Sequence, residues 1–417
     1  MASLERKFDA ATSAGEIPGV VLLASNADGT FKYEKAIGPA TPNSQIELDS
    51  TFIMASCTKL VTSIAGLRCV EQGQIGLEDD LSSILTEFRG IQILEGFETG
   101  TDGKEIPILK PAKNKITLRH LLTHTSGVGY DSYTPELVRF RASQGIDSVH
   151  THKTDMLKDI TLPLLFEPGT SWTYGYSLEW VSVLVTRLNS GQSLEDYAQT
   201  HIFNPLNIND ITFHRDRKPH VQEKLVKMTF RSGLDNPKPI LAFPGKGNDK
   251  VEWTDENLYI IEQKDCFGGQ GLAGSASSYL KILTSLLRDD EILLKKSTTT
   301  EMFKPQISEE AVENLRASFV CADFFQGMFS SQPPGRKLNF GLGGLLIEED
   351  IEGGKKKGTL TWSGMPNLLW SIDKESGLAC FYASNVLPFG DPKSHEMQQL
   401  FEKEMYKRFG EFQKTLK

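Results

Sequence analysis

The amino-acid sequence predicts an α+β fold: one antiparallel sheet drawn from both ends of the chain and flanked by helices, with a mostly helical region inserted. Three observations predict it. Near the start, GVVLLASNADGTFKYEKAIG carries two apolar runs about a polar NADGT turn, the pattern of a hairpin. Near the end, KLNFGLGGLLIEED, GTLTWSGMPNLLWSID and LACFYASNV read as three consecutive strands separated by hairpin turns. Between them, apolar residues recur mostly at helical spacing. The expected division is a discontinuous sheet domain, 1–92 and 205–417, around a helical domain, 93–204.

Taken in order, MASLERKFDAATSAGEIPG reads as an amphipathic helix and lacks the apolar core of a signal peptide. After the first hairpin a helix is expected from Ser56, with Leu60, Ile64, Leu67 and Val70 along it. The inserted region contributes TLRHLLTHTSG, PELVRFRASQG, SLEWVSVLVTRLNSG and SLEDYAQTHIF, punctuated by EPGT and NPLN turns. Residues 215–265 are polar and irregular and receive no assignment. SHEMQQLFEKEMYKRF closes the chain as an amphipathic helix.

Composition excludes several classes of function. The 417 residues carry a net charge of −9, so no nucleic-acid footprint stands out. The one dense basic run, Lys355-Lys356-Lys357, lies between glycines and reads as a solvated hairpin tip. No run approaches the length of a membrane span. Cys57, Cys69, Cys266, Cys321 and Cys380 are odd in number, scattered and without C-x-x-C spacing. They indicate neither a disulfide framework nor a zinc site, and cytoplasmic residence fits.

Two patterns are decoys. Gly269-x-Gly271-x-x-Gly274 matches a dinucleotide fingerprint, but the preceding EQKDCF is polar where an apolar strand is needed. A loop allowing close backbone approach is the better reading. His120 and His124 sit four apart, yet no third ligand accompanies them, so no metal is expected. G-x-S-x-G is absent, which argues against an α/β-hydrolase elbow.

The chemically suggestive segment is FIMASCTKL. Ser56 and Lys59 are three apart at a strand-to-helix junction, a spacing that places them on one helical face. Ser278 and Lys281, and Ser371 and Lys374, have the same spacing, so the tetrapeptide alone is weak and an N-cap serine is the plain alternative. The apolar neighbours Met54, Ala55, Leu60 and Val61 favour a partly buried lysine, as activation of a serine requires.

ASCTKL at 55–60, KITLRHLLTHTSGV at 115–128, FEPGTSWTYGYSLEW at 166–180 and CFGGQGLAGSASSYLKIL at 266–283 together resemble the class C β-lactamase-like serine hydrolases. IFNPLNINDITFH at 202–214 and LTWSGMPN at 360–367 extend the likeness over nearly the whole chain. Within that family LEGFETGTDGK and GGLLIEEDIEGG are similar to the fungal polyketide transesterases of the lovastatin type. The resemblance implies a β-lactamase/penicillin-binding-protein-like fold, Ser56 as nucleophile, Lys59 as its partner and Tyr174 as the second-motif tyrosine. Tyr176 becomes the candidate if the register slips by two. It implies an oxyanion hole from the backbone N–H groups of Ser56 and Met365.

Trp362-Ser363-Gly364 stands where β-lactamases carry Lys-Thr-Gly, and Tyr174-Gly175-Tyr176 lacks their asparagine. Both departures point toward an apolar ester or thioester. Tyr176, Phe267, Gly269, Trp362, Ser363, Gly364 and Trp370 are the residues expected to line the substrate site. The expected activity is acyl transfer to a hydroxyl of a small natural product through acyl-Ser56, or hydrolysis of bulky esters. No cofactor is called for. The expected partners are a small-molecule acyl donor and alcohol acceptor, with an acyl-carrier domain of a polyketide synthase as a further candidate.

Overall fold

A computed structural model describes residues 3–132, 134–146, 155–233, 250–255, 264–321 and 336–416. Its main sheet has seven antiparallel strands. In spatial order they are Leu338–Phe340, Leu345–Ile347, Leu360–Gly364, Leu368–Asp373, Leu378–Ala383, Val20–Asn26 and Lys32–Ile37. The join between the termini is the pairing of Val20–Asn26 with Leu378–Ala383, in register from Val21 opposite Ala383 to Asn26 opposite Leu378. The sheet therefore draws on both ends of the chain, as the sequence predicts.

Both of these central strands are buried along almost their whole length because both faces of the sheet are covered. Successive side chains alternate between the faces. Val20, Leu22, Ala24, Leu378, Cys380 and Tyr382 pack with Leu4, Phe8, Phe401, Met405 and Phe409, from the helices Leu4–Ser13 and Pro392–Thr415. Val21, Leu23, Ala379, Phe381 and Ala383 join the main core, which includes the buried face of the helix Ala276–Arg288 and the residues around Ser56.

Four expectations need correction. KLNFGLGGLLIEED is two strands, broken at Gly341–Gly344, where Gly343 has φ +135°. GTLTWSGMPNLLWSID is also two, turning at Met365-Pro366-Asn367 with Asn367 left-handed at φ +63°. The region from 93 opens with a hairpin rather than a helix: Gln92–Thr99 pairs with Glu105–Pro111. Finally, Lys355 is not a solvated tip residue. It is buried and paired with Glu402 of the C-terminal helix, Nζ to Oε2 2.7 Å, while Lys356 pairs with the exposed Asp350. Within the unassigned 215–265, Thr229–Arg231 lies between Val251–Trp253 and Val386–Leu387 in a small sheet; residues 234–249 and 256–263 lie outside the described region.

The element that places the site is another three-stranded sheet. Thr51–Ile53 and Ile211–Thr212 flank Ala273–Ser275. It feeds Met54 into a 3-10 turn, Ala55–Cys57, and then the helix Thr58–Glu71. The would-be fingerprint glycines explain themselves here. A Cβ on Gly274 would stand 2.6 Å from the side chain of Ile211 and 2.9 Å from the carbonyl of Asp210, so glycine is needed for strand packing and not for a phosphate. We expect Gly274→Ala to lower stability by about 1–3 kcal/mol, the usual cost of overpacking, as read by urea denaturation.

Candidate active site

Local geometry at the nucleophile turn is unusual. Ala55 is buried with φ +44°, a left-handed conformation that costs a non-glycine residue on the order of 1 kcal/mol. Along residues 50–67 every residue is buried except Ser56, which is half-exposed. The chain therefore buries the turn and the start of the helix and leaves them partly open at Ser56. Tyr279, fully buried, donates to the Cys57 carbonyl at 2.7 Å and holds the turn from below. From the side, the strand Leu360–Gly364 comes close because Gly364 has no Cβ: one there would lie 2.6 Å from the Met54 carbonyl.

Around Ser56 the side chains converge from distant segments. Tyr174 donates from its hydroxyl to Ser56 Oγ at 2.7 Å. Lys59 Nζ donates to Ser56 Oγ at 3.3 Å, to the Gly269 carbonyl at 2.8 Å and to Tyr130 OH at 3.1 Å. Its amine also stands 4.5 Å from the centre of the Tyr174 ring. Trp362 Nε1 donates to Tyr174 OH at 3.3 Å, and the two rings meet at 5.4 Å. A hydroxyl flanked by a phenol and an amine, at a half-open turn preceding a helix, is suited to nucleophilic attack with proton transfer.

The register of the second motif is decided by distance. Tyr174 reaches Ser56, whereas Tyr176 is fully buried and donates to Asp131 Oδ1 at 2.8 Å. Of the other expected lining residues, Phe267 and Trp370 are fully buried. Trp370 lies directly across the strand pair from Trp362, its ring packed over Gly344. Gly269 offers its carbonyl to Lys59, and a Cβ there would collide with the Glu179 carboxylate at 2.5 Å. Ser363 is buried beside Trp362, and Met365 follows Gly364 at the strand end.

The histidines take structural places. His120 closes a capping box, its Nδ1 accepting from the Thr117 N–H at 3.3 Å. His124 is buried at φ +60° against Trp172, Tyr174 and Phe340, with ring centres 6.0, 4.8 and 5.7 Å away. Burial, reinforced by the nearby Lys59 charge, holds its imidazole neutral, far below the ordinary histidine range. Cys57 and Cys266 are free and buried; desolvation raises both thiols, that of Cys266 to about 12. Among the described residues no group of histidines, cysteines and acids could hold a metal ion, and no helix is long and apolar enough to cross a membrane.

The residue that sequence reasoning missed is Tyr130. It follows the LLTHTSGV segment by two positions and comes to within hydrogen-bonding distance of Lys59 only through the fold. Nothing in its spacing from Ser56, 71 residues from Lys59, could have announced it.

Fold and site together define a serine acyl-transfer enzyme with a Ser-Lys-Tyr cluster. The beta-lactamase family profile matches residues 3–402, and the chain belongs to that family, among its serine acyltransferases and esterases. It is 30% identical to the monacolin J acid methylbutanoyltransferase of Aspergillus terreus, over 97% of this chain and 95% of that protein. With the lovastatin esterase of Penicillium rubens it shares 34% identity, over 97% and 98%. A mutant simvastatin synthase from Aspergillus terreus superposes with a TM-score of 0.86 and 31% identity, covering 98% of this chain and 95% of that one.

Because Tyr174 donates its hydroxyl to Ser56 Oγ while Tyr176 donates to Asp131, Tyr174→Phe should lower turnover of an aryl ester by roughly 10²–10⁴-fold, the range for general acid–base catalysis. Tyr176→Phe should cost much less and act mainly on stability. The reverse order would move the proton-transfer role to Tyr176.

Proposed function

We propose that the enzyme moves a short acyl group from a thioester or ester to a hydroxyl of a bulky small natural product, through acyl-Ser56. In this reading Ser56 attacks the acyl carbon as its proton passes to the Tyr174–Lys59 pair, and the donor leaves with that proton. The acceptor hydroxyl then attacks the acyl-enzyme, giving its proton back through the same pair to Ser56. The backbone N–H groups of Ser56 and Met365 serve as oxyanion donors. Gly364 supports this placement, since it lets the strand end approach the nucleophile turn.

The observation that carries the substrate reading is Trp362. Where β-lactamases place a lysine, this chain places an indole whose N–H bonds Tyr174 at 3.3 Å. The site thereby loses a cation that would grip a carboxylate and gains an apolar wall. Tyr176, Phe267 and Trp370, fully buried, form the packed layer behind that wall in this reading. The names of the relatives favour transfer to a polyketide-derived alcohol, with an acyl-carrier domain as one source of the acyl group and the cytoplasm as the place of action. Hydrolysis of a bulky ester is the second reading, favoured by the likeness to a lovastatin esterase.

Acylating the enzyme with a short-chain thioester and adding a panel of polycyclic alcohols separates the two. We expect new esters to form in preference to free acid. Free acid alone across the panel, with ready cleavage of bulky esters, would make the enzyme a hydrolase. On the same preparation nitrocefin turnover should fall about 10- to 150-fold below that of an uncharged aryl ester, the worth of one lost charge-assisted hydrogen bond.

A further inference from the structure

Acyl transfer by Ser56, Lys59 and Tyr174 does not of itself call for a second tyrosine, yet Tyr130 is built into the site. It is buried, and its ring stands edge-on against Tyr174 and Tyr176, with centroids 5.3 and 4.4 Å away. Its neighbour Asp131 is almost completely buried and shared between two distant segments. Oδ1 accepts from Tyr176 OH at 2.8 Å, and Oδ2 accepts from Arg141 Nε at 2.8 Å. Arg141, also buried, donates in addition to the Asp159 carbonyl.

We propose that Tyr130 is a positioning residue for Lys59, and that Asp131 is the anchor that fixes Tyr130 between the second motif and the helix Pro135–Ser143. The inference rests on the Ser56–Lys59 reading above. A lysine amine sits on four rotatable bonds, and its approach to Ser56 Oγ, at 3.3 Å, is the longest of its three hydrogen bonds. Nζ makes three hydrogen bonds, to Ser56 Oγ, Tyr130 OH and the Gly269 carbonyl. Gly269 and Tyr130 belong to different segments, so together they fix the direction from which the amine meets the serine. With Tyr130 removed, one N–H of a buried amine loses its acceptor and the amine is free to turn away from Ser56.

The other groups facing Lys59 do not duplicate that hold. Tyr174 presents its ring to the amine and directs its hydroxyl at Ser56. His124 and the Cys57 thiol are kept uncharged by burial. The Glu179 carboxylate abuts the Cα of Gly269, on the carbonyl-bearing loop.

The test is Tyr130→Phe, which keeps the ring and its contacts. Three readouts are taken: steady-state hydrolysis of an aryl ester, thermal melting to confirm folding, and the position and width of the Lys59 Nζ resonance in ¹⁵N-lysine-labelled protein. We expect kcat to fall about 10- to 100-fold, the range for leaving a buried donor without its acceptor. KM should change little, and the Lys59 Nζ resonance should shift and broaden, because the amine has lost one of the two groups that fix its direction. If the phenylalanine variant does not fold, 3-fluorotyrosine at position 130 preserves the contacts and weakens the oxygen as an acceptor, giving a smaller change of the same kind.

Unchanged kcat and an unchanged Lys59 Nζ resonance would overturn the proposal. A change in KM alone would make Tyr130 a substrate contact and overturn it as well. Failure of the acyl-Ser56 reading would show separately, as a wild-type enzyme that turns over no ester, while the Nζ resonance would still decide whether Tyr130 holds the lysine.

Discussion

Burying the Lys59 amine beside a serine hydroxyl sets the terms for the rest of this structure. Lys59 is only 3% exposed. An amine removed from water to that extent costs on the order of a few kcal/mol unless hydrogen bonds replace its hydration. The replacements come from residues 56, 130 and 269, so three segments far apart in sequence must meet at one nitrogen. The sheet that joins the termini, the helices that cover it and the loop carrying Gly269 bring this meeting about.

The nucleophile turn shows how such a site is held open. A run of buried residues, a left-handed Ala55 and a glycine facing the Met54 carbonyl leave little freedom for the backbone. Ser56 is the one residue of the run that is not buried. Strain and close packing of this kind persist only where the surroundings over-determine them. Tyr279 beneath, Gly364 beside and the strand Ala273–Ser275 alongside do so here.

Features local in sequence were the ones that could be read from it. Ser56 and Lys59 lie one helical turn apart, so their proximity follows from geometry alone. The strands Val20–Asn26 and Leu378–Ala383 announce themselves as apolar runs bounded by turn residues. What stayed hidden depends on tertiary contacts or on broken periodicity. The hairpin at 92–111 carries a bulge between Leu94 and Gly96, which interrupts the alternation that marks a strand. Lys355 looked solvated because its partner, Glu402, lies 47 positions away on the closing helix. Tyr176 looked like a site residue because it sits beside Tyr174, and only the fold turns it to Asp131. Tyr130 gave no signal at all.

The chain shares its family with acyltransferases and esterases. The proposed acyl transfer requires that the acyl group rest on Ser56. Intact-mass analysis followed by peptide mapping, after brief exposure to a short-chain activated ester, measures this directly. One acyl adduct on Ser56 in the wild type, and none in Ser56→Ala, is the predicted result. An adduct on any other residue, or one that survives in Ser56→Ala, would contradict it.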